Sequence, residues 1–124
     1  MNEPEARILD ERVLADLGAS VNQDRAFVVE LIEAFLSDGA QQMAAIEAAV
    51  TADDAEALVR PAHTLKSSSA TVGAMRLSAT ARELEMAGRS GTLDDDTHAR
   101  VARLHADWEA SAEALSGWVS GGER

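Results

Sequence analysis

The apolar residues of this chain recur at helical spacing almost from end to end, and that periodicity limits the fold more than any other feature. Between residues 27 and 50, Phe27, Val28, Leu31, Ile32, Phe35, Leu36, Met43, Ile46 and Val50 fall mostly three or four apart. On a helix they form one stripe, whereas in a strand they would scatter over both faces. Shorter stripes run through Ile8, Leu9, Val13, Leu14 and Leu17, through Leu58, Ala62, Leu65, Ser69 and Val72, and through Leu77, Ala81 and Leu84. The last comprises Val101, Leu104, Trp108, Leu115 and Val119. About a fifth of the residues are alanine and only 3% are aromatic, which suits close-packed helices and starves a sheet of the branched and aromatic side chains it needs. The pattern predicts helices over 8–18, 23–51, 53–72, 74–88 and 94–119. The expected fold is an all-α antiparallel four-helix bundle in a single domain, 1–124, with the additional short N-terminal helix across one end.

Local signals refine these limits. Asn22 is a plausible N-cap for the second helix, and Gly39 within it is expected to bend it. The acidic runs Asp53-Asp54 and Asp94–Asp96 read as helix N-termini, where negative charge meets the positive end of the helix dipole. Gly73 and the stretch Gly88–Gly91 are expected stops. Pro61 falls inside the third helix, so that helix either kinks near residue 57 or begins afresh at 61; the kink is the preferred reading. The final residues, GGER, are expected to fray.

A net charge of −11 argues against nucleic acid or an anionic membrane as partner, since both call for a basic surface. The expected partner is a protein. The chain has no cysteine, no apolar run near the ~20 residues of a membrane helix and no basic, apolar leader. A soluble, cytoplasmic monomer is expected.

The chemistry concentrates around His63, in the run Ala62-His63-Thr64-Leu65-Lys66-Ser67-Ser68-Ser69-Ala70. Lys66 is the only lysine, beside ten arginines elsewhere. If Leu58, Ala62, Leu65 and Val72 face inward, then His63, Lys66, Ser67 and Ala70 share the outer face, with little bulk around the imidazole. A reachable imidazole with one adjacent cation and no evident serine or cysteine nucleophile beside it suits carrying a phosphoryl group better than hydrolysing a bond. Chain counting adds a carboxylate: with a turn centred on Gly73, the antiparallel partner of position 63 falls near 83. Glu85 could hold Nδ1 of the imidazole and present Nε2 outward; Glu83 is the alternative in another register. Counting back across the turn near residue 52 places Gln42 or Gln41 on the other flank. The serine run 67–69 is read as small residues permitting close approach. His98 and His105 lie roughly 10 Å apart along a helix, too far to share a metal ion, and no metal site is expected.

Residues 62–85 resemble the signature of histidine-containing phosphotransfer (HPt) domains of bacterial multistep phosphorelays. The matching positions are His63, Leu65, Lys66, the small residues 67–70, Gly73-Ala74, Leu77 and Leu84-Glu85. A looser likeness covers the rest, including the opening ILD and the ELIEAFLSDG stretch. Where such domains usually carry glycine after the lysine, this chain has Ser67. The resemblance implies a bundle that neither binds ATP nor phosphorylates itself, and the sequence has no glycine-rich phosphate loop. It implies a phosphoryl group taken from one receiver-domain aspartate onto His63 and given to another, with Lys66 offsetting charge and Glu85 orienting the ring. It implies response-regulator receivers and a hybrid sensor kinase as partners, and no cofactor beyond Mg²⁺ in the receiver. Two further readings are a helical module that docks receivers without carrying phosphate, and the phosphotransfer domain of a chemotaxis-type kinase. The opening of the chain and the lack of a following domain weigh against the second.

Overall fold

Apolar stripes on four long helices can all be buried at once only if the helices surround a common axis. In a computed structural model describing residues 8–20 and 25–121, the side chains of 18–20 excepted, this is the arrangement found. The helices are α1 (Glu11–Ser20), α2 (Arg25–Thr51), α3 (Ala55–Thr71), α4 (Met75–Ser90) and α5 (Asp95–Gly121), with no strand among the described residues. Helices α2, α3, α4 and α5 pack each on the next and α5 closes back on α2, while α1 lies against α2. Connections of three or four residues between packed neighbours make successive helices antiparallel. The core holds Val28, Ile32, Ile46, Leu58, Leu65, Leu77, Leu84, Leu104 and Leu115, all essentially inaccessible.

The helix limits differ from expectation by a few residues, for local reasons. Helix α1 begins at Glu11, not residue 8, because the Asp10 carboxylate accepts the Arg12 amide (3.1 Å) and caps the helix. Asn22 lies outside the described residues, as do the last three residues of the GGER tail. Helix α3 runs through Pro61 as one element, so it does not begin afresh there. Helix α4 continues past Gly88 to Ser90, and Gly91, at φ 86°, ends it. Phe27, expected in the inward stripe, is instead 42% exposed at the edge of α2.

Two glycines read as a bend and a stop are contact positions. Helix α2 is unbroken through Gly39, where a β-carbon would lie 2.6 Å from the Trp108 ring. At Gly88 a β-carbon would lie 2.9 Å from both the Ala55 carbonyl oxygen and Val59, so its absence lets α4 approach the start of α3. The open end of α5 is closed by Arg25, which donates to the Trp118 and Val119 carbonyl oxygens and stacks 3.8 Å over the Trp118 ring.

The same hydrogen-bond pattern ends α2 and α3. The Asp54 amide reaches the Ala49 carbonyl and the Asp53 amide reaches Val50; likewise Ala74 reaches Ser69 and Gly73 reaches Ala70. This paired arrangement needs a left-handed residue in the middle. Gly73 supplies it at φ 82°, and Asp53 at φ 55°. Asp54 then caps α3 by accepting the Ala57 amide. Gly73 is constrained twice, since its carbonyl also accepts the Asp10 amide (2.7 Å) and a β-carbon would lie 2.6 Å from the Asp10 carbonyl oxygen. Gly73→Ala is therefore expected to lower stability by about 2 kcal/mol or more. Asp53→Gly, which relieves the left-handed residue and leaves the Asp54 cap, is expected to raise it by about 0.5–1 kcal/mol. Urea denaturation of both variants checks the opposite signs.

Candidate functional site

Helices α3 and α4 carry the site between them. Leu58, Pro61, Ala62, Leu65 and Ser69 of α3 are buried, which turns His63 and Ser67 outward. The His63 side chain is 54% exposed. Opposite it on α4, Leu84 and Glu85 are both buried, so the helix brings a carboxylate as well as a leucine to the packed interface. The Glu85 side chain is only 6% exposed.

A buried carboxylate is tolerated only where partners replace its lost hydration, and Glu85 has three. His63 Nδ1 lies 3.0 Å from Oε2, Lys66 Nζ 2.8 Å from Oε1, and Arg89, one turn further along α4, donates to Oε2 from Nη2 at 2.7 Å and Nε at 3.0 Å. These contacts hold the Glu85 carboxyl down to about 2. The hydrogen bond from Lys66 is the main cause, burial opposes it, and the bonds from Arg89 and His63 add to it. An ionised carboxylate only accepts, so the hydrogen of this contact belongs to Nδ1. Nε2, on the far edge of a half-exposed ring, then carries the lone pair.

The structure thus brings His63, Lys66 and Glu85 together. Glu83, the alternative by chain counting, faces α5 and pairs with Arg100 and Arg103. Lys66, expected to face the transferred group, rests its ammonium on Glu85. Ser67 is exposed and Ala70 half-buried, on the same face as His63. Gln42 is half-buried on α2 and Gln41 is exposed; among the described residues neither bonds to the His63–Glu85 pair. Ser69 is buried, donating to the Leu65 and Lys66 carbonyls, and the Ser78 hydroxyl donates to the Lys66 carbonyl at 2.8 Å, tying the start of α4 to this stretch. Arg89 was missed by sequence reasoning, although its signal is simple: it lies four residues after Glu85 on one helix face.

The comparisons with known proteins fit this geometry. The Hpt domain family matches residues 30–118, most of the chain, and the chain belongs to that family. Among solved structures, histidine-containing phosphotransfer protein B (HptB) of Pseudomonas aeruginosa PAO1 is 28% identical and superposes with a TM-score of 0.83, covering 93% of this chain and 96% of that one. The HPT domain of the Hpt sensor hybrid histidine kinase from Shewanella shares the fold at 16% identity and a TM-score of 0.74, covering 96% and 97% of the two chains. No curated protein matches the chain in sequence. Its function is histidine phosphotransfer in a phosphorelay, and members of the family work with receiver domains and histidine kinases.

The Glu85 carboxyl sets a pH dependence of stability. Its value is about 2 in the folded chain against an ordinary 4.5, so between those limits the unfolded chain binds the additional proton. The stabilisation from ionised Glu85 is complete above the ordinary value and is lost as pH falls towards the folded one. Glu85→Gln, which cannot ionise, should therefore be most destabilised relative to the parent at neutral pH. Denaturation of both chains across acidic pH should show the gap closing as the medium is acidified below about 4.5.

Proposed function

We propose that His63 accepts a phosphoryl group from the aspartyl phosphate of one receiver domain and passes it to the aspartate of another. The observation that carries this reading is the half-exposed imidazole whose Nδ1 lies 3.0 Å from a buried carboxylate. The Nε2 lone pair attacks phosphorus, the bond from phosphorus to the receiver carboxylate oxygen breaks, and its electron pair leaves with that carboxylate. The ring keeps its Nδ1 hydrogen and becomes cationic, a charge that Glu85 offsets. Onward transfer reverses these steps on the second receiver.

Lys66, three residues after His63 on the same face, is the cation that offers charge to the transferred oxygens, where positioning and electrostatics supply most of the catalysis. Mg²⁺ belongs to the acidic pocket of the receiver; among the described residues of this chain no three His, Cys, Asp or Glu side chains are grouped to hold a metal ion. A shallow groove of about 180 Å³ on the α2–α3 seam, lined by Leu31, Ala34, Phe35 and Asp38 of α2 and by Ser68 and Thr71 of α3 with Val72 after it, suits the brief, largely apolar contact of a carrier that must release each partner. The chain is read as a cytoplasmic monomer. Among the described residues, no helix is long and apolar enough to cross a membrane.

His63→Gln is expected to abolish transfer while changing stability by no more than about 0.5 kcal/mol, because the ring is exposed and an amide can still donate to Glu85. Lys66→Ala is expected to slow transfer by about tenfold to a hundredfold without abolishing it. Mobility-shift gels after mixing with a phosphorylated receiver, with and without a chelator, check these outcomes. The phosphorylated form should be acid-labile and base-stable, and transfer that persists in His63→Gln removes this residue from the reaction.

A further inference from the structure

The two cations on Glu85 are not equivalent. Lys66 touches Oε1 alone, through a compact ammonium on a flexible stem. Arg89 touches Oε2, the oxygen that also receives His63 Nδ1, and does so through two nitrogens of its rigid guanidinium. The arginine comes from the same helix as Glu85, four residues on, so its grip does not depend on how α3 and α4 sit. Lys66 comes from α3, three residues after His63 and on its face.

A phosphoryl group on Nε2 would bring two negative charges beside Lys66. The lysine cannot serve both that group and Glu85 fully. If it leaves, a nearly buried carboxylate must remain ionised and in place at the step where His63 needs it most.

We propose that Arg89 is the positioning residue that keeps Glu85 ionised and oriented on His63 Nδ1, so that Lys66 is free to turn to the phosphoryl group. This inference rests on His63 being the phosphoacceptor, but its first test does not. Free histidine favours the hydrogen on Nε2, so the Nδ1–H form that the contact with Glu85 requires is imposed by that carboxylate and reports directly on it. Loss of Lys66 mimics its departure.

The experiment is nitrogen-15 NMR of the His63 ring in the unphosphorylated chain, in the parent, Lys66→Met, Arg89→Gln and the double variant. Lys66→Met is expected to keep the Nδ1–H pattern, and the double variant to revert to the Nε2–H pattern of free histidine. Loss of the pattern in Lys66→Met alone, or its survival in the double variant, overturns the proposal. Arg89 is 59% exposed, so the variants should keep their helical circular dichroism, and Arg89→Lys should keep most of the Nδ1–H pattern.

The second readout is single-turnover transfer to a receiver. Arg89→Gln is expected to slow it by about threefold to tenfold. The further loss on removing Lys66 should be larger in that background than in the parent, because the lysine is then the last cation left on Glu85. Independent, multiplying losses overturn the proposal. A parent chain that takes no phosphate at His63 would instead overturn the function proposed above, with the ring spectra still deciding the role of Arg89.

Discussion

The carboxylate of Glu85 is the interaction on which the site depends. An ionised group with 6% of its side chain exposed would cost several kcal/mol if left alone. Here a lysine, an arginine and an imidazole surround it, and the arrangement produces three results together. The acid stays ionised, the ring is held in one tautomer, and two helices are fixed in register around position 63. The proposed nucleophile is an imidazole whose Nδ1 faces a neighbour that can only accept.

That neighbour can reach because α3 and α4 run close together, and small residues make this possible. Gly88 lets the helices touch backbone to side chain at one end of the pair, and the turn through Gly73 reverses the chain at the other. Between them, the Ser78 hydroxyl ties α4 to the Lys66 carbonyl, just below the charged cluster. Backbone constraints at both ends therefore position an exposed histidine that contributes little to packing itself.

Most of the architecture was readable from periodicity, since helices that bury one face must repeat every three to four residues. The His63, Lys66 and Glu85 grouping was readable for a related reason: a short turn fixes which residues of two antiparallel helices can meet. Where the reading went astray, the deciding neighbour was distant in the chain. Gly39 and Gly88 read as a bend and a stop because nothing local announces Trp108 or Val59. Asp53 read as an ordinary acidic opening, although its left-handed backbone serves the helix before it. Phe27 matched the spacing of its stripe, but the packed face of α2 is narrower than the apolar one. Arg89 needed only the four-residue rule, applied forward from Glu85 as it had been from His63.

The contact between Gly39 and Trp108 has a consequence for how this chain can diverge. The indole fills the space a side chain at 39 would need and leans on Phe35 at 5.5 Å between ring centres. The three positions thus form one unit of substitution: a larger residue at 39 is admissible only with a smaller one at 108. That unit joins α2 to α5, whereas the charged cluster joins α3 to α4. Sequence drift on the one seam can proceed by paired exchanges while the other stays unchanged, so a single bundle can keep its chemistry through considerable variation elsewhere.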